Sequence, residues 1–368
     1  MEVIFNADDF GRSSDINRAV LQAHREGVLT SASLMMTGDA VDEAVALARS
    51  APTLAVGLHL VLSDGRPASS PGEISHLLEG RDRFPTNPAR VWIQYIFSAA
   101  ARAEMMRELR AQFERFAATG LPLDHVNGHQ HIHMQPALFH ALLPLARQYG
   151  ADGVRLPRDD FGLAIHYDRK GAAVKALWAA VFGLLCRRYA GEIDGAAVAS
   201  ASARATPRLA VADRVYGLLQ TGRMEEAYVL RVLTLAPNAS SAHHVFSRGL
   251  TGRPLKRPVD GKESLRSAIR DSSLGRRLGE ELGADPLRMT PERDSDVAEA
   301  CSQSAPPARG RAGRWTAELY FHPTLAFEAE PLGPNRGDLA TLLSPAVRKA
   351  VEAYGWTLAS YATLAEAH

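Results

Sequence analysis

The sequence predicts an α/β fold built on a parallel sheet, a distorted (β/α) barrel rather than an open doubly wound sheet. Two observations carry that expectation. Short apolar runs alternate with helical stretches through the first 160 or so residues, the pattern of repeated βα units. Acids and histidines then fall at the ends of successive apolar runs, at Asp8-Asp9, His59 and His129. A barrel gathers its chemistry at one rim in this way.

The elements follow in order. Residues 2–7 read as a short buried strand around Val3-Ile4-Phe5. Ser14-Asp15-Ile16-Asn17 opens a helix that runs to about Arg25, and Gly27 stops it. Leu34-Met35-Met36 fits a second strand, and Ala40 to Ser50 a second helix. Ala55 to Leu62 alternates, with Val56, Leu58, Leu60 and Leu62 on one face and His59 on the other. Pro88 to Thr119 is one long helical stretch, Asp124 to Asn127 a strand, Pro136 to Gln148 a helix, and Val154 to Pro157 another short strand. Lys170 to Tyr189 is a helix with an apolar centre from Ala176 to Cys186, too short to span a bilayer. Arg214 to Leu235 reads as one or two further helices. Ala317 to Pro323 is a strand ending in His322, Leu342 to Tyr354 a helix, and Trp356 to Ala359 a last strand. No internal repeat is visible.

A chain of 368 residues can bury a large core. The formal charge of +1 gives no global attraction to nucleic acid or to an acidic partner. Cys186 and Cys301 stand far apart and suit a reducing compartment better than a disulfide framework. The opening residues resemble neither a signal peptide nor a membrane helix, so a cytoplasmic protein is expected. Residues 1–235 and 316–368 are expected to form one catalytic barrel-like domain. Between them, 236–315 reads as an atypical, partly disordered insertion, because Ser302 to Gly313 is linker-like in composition.

The candidate site is assembled from separated motifs. One carboxylate with two imidazoles is a common shell for a divalent metal with open positions. Asp9, His59 and His129 supply that set, with His129 preferred because it stands nearest the strand end after Asn127. Asp8, adjacent to Asp9, is then placed to take a proton from water. The plainer alternative makes Asp8 and Asp9 a turn pair ahead of the Ser14 helix. A lone strand histidine such as His59 is often only structural. His129, His131 and His133 alternate and would share one face if extended, leaving His131 and His133 to line the pocket. Arg155 is a candidate partner that keeps Asp8 ionised. His322 is a candidate proton donor to a leaving group. Each of these two also has a purely structural reading, as a surface ion pair and as a histidine before a proline turn.

These motifs resemble the YdjC-like deacetylases, a branch of carbohydrate deacetylases that includes chitooligosaccharide deacetylases. The resemblance lies in Asn6-Ala7-Asp8-Asp9-Phe10-Gly11, Gly57-Leu58-His59-Leu60 and Asn127-Gly128-His129-Gln130-His131-Ile132-His133-Met134. It implies a barrel-like fold distorted from eightfold and a Mg²⁺-type ion, for which Zn²⁺, Co²⁺ and Ni²⁺ are chemically able to substitute. On the matching positions Asp9, His59 and His129 hold the metal and Asp8 is the base. A more distant likeness to NodB-type polysaccharide deacetylases gives Arg155 as the group that orients the base and His322 as the acid. Val154 to Asp159, Tyr216 to Gly222 and Gly355 to Tyr361 are most similar to the hopanoid-biosynthesis-associated subgroup, HpnK. That likeness implies an N-acetylglucosamine-type head group on a lipid as substrate. The stretch from about Asn238 to Arg314 matches nothing in the family.

The expected partner is therefore an N-acetylated amino sugar, with lipid linkage, membrane-surface contact through the helix at 170–189 and homodimer formation left open. Chitooligosaccharide deacetylation and a catalytically idle sugar- or lipid-binding barrel are the alternative functions. A non-haem iron oxygenase shares the metal shell, but the paired Asp8 argues against it.

Overall fold

The computed structural model describes residues 1–199, 209–235, 314–328, 330 and 333–366. The stretch expected as an insertion, 236–315, lies outside the described residues except for Arg314 and Trp315.

Among the described residues, eight strands form one sheet in which every pairing is parallel. They are β1 (Glu2–Phe10), β2 (Ser31–Leu34), β3 (Ala55–Leu60), β4 (His125–Gly128), β5 (Gly153–Val154), β6 (Arg214–Tyr216), β7 (Thr316–Phe321) and β8 (Thr357–Leu358). Seven lie along the path β5-β4-β3-β2-β1-β7-β6, and β8 adds to the start of β1 at Glu2 and Val3. The two ends of the path are linked without a ladder. Gly153 bridges Ala210, and the Val215 N–H donates to the Arg158 carbonyl at 3.1 Å. The sheet therefore curls into a half-barrel, as the distorted-barrel expectation requires.

The buried pattern explains the parallel arrangement. Strand β1 is buried from Val3 to Phe10, and every residue of β7 is buried. Such strands need cover on both faces, which the intervening helices provide. These are α1 (Ser14–Glu26), α2 (Val41–Ser50), α3 (Pro88–Phe97), α4 (Ala99–Ala118), α5 (Pro136–Gln148), α6 (Phe161–Tyr167), α7 (Ala172–Ala199), α8 (Glu226–Thr234), α9 (Arg336–Leu342), α10 (Pro345–Ala353) and α11 (Tyr361–Glu366).

Several boundaries differ from the sequence expectations for identifiable reasons. The stretch 88–119 is two helices, because Ser98 is extended and its Oγ accepts from the Ala101 N–H at 3.1 Å, starting a new helix. Leu342 to Tyr354 is likewise interrupted, because Ser344 precedes Pro345 and is held out of the helical region. Arg214 to Tyr216 is a strand and not the start of a helix, since it completes the pairing with β7. The second strand ends at Leu34 instead of beginning there. Helix α11 is an element that no periodicity announces.

Helix α7 buries Phe182, Cys186, Tyr189 and Ile193, a helical stripe, with the Tyr189 ring stacked 3.7 Å from Phe139. Leu177, Trp178 and Leu184 face outward. No helix among the described residues is long and apolar enough to cross a membrane.

One glycine shows how tightly the sheet is filled. A Cβ at Gly57 would lie 2.5 Å from the ring of the buried His125 on the neighbouring strand. Overpacking of this kind costs about 1–3 kcal/mol. Gly57→Ala is expected to lower the unfolding free energy, read from urea denaturation, by that amount, whereas Gly72→Ala, with nothing within 4 Å, is expected to leave it unchanged.

Candidate metal centre

The C-terminal ends of β1, β3, β4, β5 and β7 deliver the candidate residues to one rim. Asp8 and Asp9 close β1, His59 closes β3, and His129 follows β4. Arg155 follows β5 and His322 follows β7.

Adjacent residues of a regular strand point to opposite faces, yet Asp8 and Asp9 both serve this rim. The backbone gives the reason. Asp9 has φ of 63°, in the left-handed region, and the pairing of β1 with β2 shifts register between Ala7 and Phe10. A similar device follows β4. Gln130 and His131 have φ of 51° and 53°, inside a short 3₁₀ segment spanning His129–Met134. The three alternating histidines are therefore not extended and do not share a face. His129 turns toward Asp9, His131 toward the Tyr320 hydroxyl at 2.8 Å, and His133 donates from Nε2 to the Arg155 carbonyl at 3.0 Å.

Asp9, His59 and His129 each offer one ligand atom, all within 4.8 Å of one another, and all three residues are buried. Asp9 Oδ1 lies 3.1 Å from His129 Nδ1 and 3.4 Å from His59 Nε2. Ligand atoms bound about 2.1 Å from a cation at right angles stand about 3 Å apart. The spacing and the donor set thus fit a divalent metal. The other Asp9 oxygen faces Arg12 Nη1 at 3.2 Å, and Arg12 also binds Glu330 at 2.8 Å. Burial pushes the Asp9 carboxyl up, but the charge and hydrogen bonding of His129, with His59, carry it well below the usual range.

Asp8 sits in a separate set of contacts. Arg155 donates to its two oxygens, Nη1 to Oδ2 at 2.6 Å and Nη2 to Oδ1 at 3.0 Å. Asn6 donates to Oδ1 at 2.9 Å and Asn127 to the same atom at 3.3 Å. Oδ1 is thereby saturated, and Oδ2 keeps a lone pair beyond its Arg155 bond. Burial raises the Asp8 carboxyl, but Arg155 and then His59 reverse this and hold it well below the ordinary value. Burial lowers His59, and Asp8 and Asp9 outweigh it, leaving the imidazole above its usual range.

Arg155 is itself fully buried and also binds Glu318 of β7, from Nε at 2.9 Å and Nη2 at 2.6 Å. The Tyr361 hydroxyl donates to the second Glu318 oxygen at 2.6 Å, and the Tyr320 ring lies 4.6 Å beneath the guanidinium. His322 is nine-tenths buried. Its backbone N–H donates to Asp338 at 2.8 Å, and its Nδ1 has no hydrogen-bond partner among the described residues. It is close enough to Asp8 and Asp9 to act on both carboxylates.

The six candidate residues therefore share one rim. Sequence reasoning did not single out Glu318, Tyr320, Ser33 or the Asp124-His125 pair. Glu318 carried a usable signal, since a charge inside an apolar strand demands a buried partner. Ser33 and His125 carried none.

Fold and site together define a barrel-like α/β protein with an Asp-His-His candidate metal centre on the C-terminal rim of its strands. A family model described as YdjC-like protein matches residues 2–353, and the chain belongs to that family. Among curated proteins it is similar to a carbohydrate deacetylase of Brevibacillus brevis, 45% identical over 149 residues, covering 40% of this chain and 57% of that protein. It is also similar to a chitooligosaccharide deacetylase of Escherichia fergusonii, 35% identical over 170 residues, covering 46% and 60%. The chain thus spans about three fifths of the length of these relatives. A crystal structure from Enterococcus faecalis V583, of a protein proposed as a cellobiose-phosphate cleavage protein, superposes with a TM-score of 0.56 at 19% identity, covering 99% and 98% of the two chains. At that identity the likeness speaks for the fold alone.

Removing the guanidinium would strand buried carboxylates, which costs about 3–5 kcal/mol. Arg155→Met is expected to lose that much stability in urea at pH 7. The pH response reverses as well. In the native protein the depressed Asp8 carboxyl stabilises above its unfolded value of about 3.9, and this is lost only as the pH falls through the lower folded value. In Arg155→Met burial dominates and raises Asp8, so stability rises as the pH falls from 7 toward 4. A urea series across that range distinguishes the two.

Proposed function

We propose that this protein is a carbohydrate N-deacetylase, a hydrolase that removes the acetyl group from an N-acetylglucosamine-type sugar. One observation carries the reading: an Arg155-held Asp8 with one lone pair open on Oδ2 stands beside a cation-type cluster of Asp9, His59 and His129 on the strand-end rim. The names of the deacetylase relatives support it.

In this reading Asp9, His59 and His129 hold a divalent ion, Mg²⁺ in the first instance. When bound, the ion acidifies water and polarises the acetyl carbonyl oxygen. Asp8 accepts a proton from the attacking water through the open lone pair of Oδ2. A carboxylate held this far toward ionisation is a weak base, so it depends on the water being made acidic. Arg155 keeps Asp8 from rotating. The C–N bond breaks as His322 gives a proton to the departing amine, leaving acetate and a free amino sugar.

The substrate we favour is the glycosyl head group of a hopanoid lipid, with chitooligosaccharides as the alternative. The outward Leu177, Trp178 and Leu184 of α7 favour a lipid-linked substrate, because Phe182 on the same helix packs 6.0 Å from His131 beside the centre.

Acetate release from chitooligosaccharides and from a glycosylated hopanoid, each with and without chelator, tests the function. Chelation is expected to abolish release. Asp8→Asn is expected to lower it by about 10²–10⁴-fold with cation binding intact. Release that persists in either case would overturn the mechanism, and no release from any acetylated sugar would leave a binding barrel. The triple substitution Leu177→Ser, Trp178→Ser, Leu184→Ser is expected to reduce turnover of the lipid substrate and liposome binding while sparing chitooligosaccharides. Unchanged lipid turnover would exclude a role for that face.

A further inference from the structure

A row of buried polar side chains runs from the far side of β4 to the candidate centre. The proton on each member can be assigned by counting donors. The backbone N–H groups of Ala362 and Tyr361 donate to the Asp124 carboxylate at 2.8 and 3.4 Å. Asp124 therefore accepts from His125 Nδ1 as well, at 2.8 Å. His125 Nε2 lies 2.9 Å from Ser33 Oγ. Asn127 and Asn6 both donate to that oxygen, at 2.8 and 3.0 Å. A hydroxyl has two lone pairs and one proton. Both lone pairs are taken, so the Ser33 proton is left for His125 Nε2.

Asn127 is fixed by the same reasoning. Its amide nitrogen faces Ser33 and the Asp8 carboxylate, which only accepts. Its oxygen must then face His59 Nδ1, at 2.6 Å, and accept from it. Asn6 closes the set, since its own oxygen accepts from Ser31 Oγ at 2.7 Å. Ser33, His125 and Asn127 are all fully buried. His125 is confined between Gly57, where a Cβ would strike it, and the Tyr361 ring stacked at 5.1 Å.

We propose that this directional chain, Asp124–His125–Ser33–Asn127, holds a proton on His59 Nδ1, so that Nε2 is the nitrogen left to a cation bound beside Asp9 and His129. His125, Ser33 and Asn127 are positioning residues of the centre. The inference rests on reading Asp9, His59 and His129 as a cation site, and not on which reaction the site performs. Outer partners of ligating histidines commonly govern affinity by about 10–100-fold.

The test uses the metal-free full chain and Co²⁺ alone. In ¹⁵N-histidine NMR, followed upward in pH until the imidazole is neutral, wild-type His59 is expected to keep its remaining proton on Nδ1. Asn127→Ala is expected to give a mixture of tautomers and to weaken Co²⁺ binding, measured by calorimetry, at least tenfold. Ser33→Ala, a smaller excision, is expected to shift both readouts in the same direction and serves if Asn127→Ala does not fold. A wild-type proton on Nε2 would overturn the proposal. So would weaker binding with an unchanged His59 spectrum, which would make the chain merely structural. None of these readouts needs a sugar, so a failure of acetate release leaves them intact and removes only the deacetylase reading.

Discussion

The buried guanidinium of Arg155 is the interaction on which the arrangement depends. Removing an ion from water costs several kcal/mol even after relaxation, and attraction offsets this only with full hydrogen bonding and good geometry. Arg155 meets that demand with charge-assisted bonds to Asp8 on β1 and Glu318 on β7. Those two strands are neighbours in the sheet. The ion pair thus draws the segment after β5 across the curled sheet onto its central strands, so one side chain ties down both the half-barrel and the acid beside the cluster. Its backbone carbonyl also anchors His133, which burial holds neutral by pushing it down to about 3. The loop after β4 is thereby tied to the loop after β5.

A second constraint is backbone strain at the same rim. Asp9, Gln130 and His131 occupy the left-handed region without being glycine, at a cost on the order of 1–3 kcal/mol each. Local bonds hold the first of these in place. The Asp9 carbonyl accepts from Arg12 at 3.0 Å, the Phe10 carbonyl from Met35 at 2.8 Å, and the Gly11 N–H donates to Asn17 at 2.8 Å. Gly11 itself has φ of 91°, so the motif ends on the residue that tolerates such a turn most easily. The strain has a direct product: two consecutive carboxylates brought to one rim, which a regular strand would divide between its faces.

This explains what was legible in the sequence and what was not. The alternation of runs, the parallel sheet and helix α5 at Pro136–Gln148 follow from periodicity and capping, which are local. The remote motifs at Asp8-Asp9, His59 and His129 were legible because metal-type donor sets are rare at successive strand ends. The breaks at Ser98 and Ser344 were missed because helical composition continues through them and the competing cap is a single side-chain hydrogen bond. The strand at Arg214–Tyr216 was missed because its pairing partner, β7, is about a hundred residues away. The turn that separates His129, His131 and His133 was missed for a related reason. Alternating spacing looks extended on the page, and only the contacts with Tyr320 and Arg155 select the left-handed residues.

The two adjacent aspartates show how surroundings divide labour between identical groups. Asp8 accepts four hydrogen bonds from Arg155, Asn6 and Asn127, and turning toward a cation would break the strongest of them. Asp9 has one oxygen on Arg12 and the other facing two imidazoles. Exchanging their duties would require Arg155 to abandon Glu318 or the β1 backbone to regain regular alternation. On the proposed reading, the acid that handles the proton and the acid that holds the ion are therefore distinguished before any ligand binds. Their neighbours on β4, β5 and β7 make the distinction, not any difference between the two side chains.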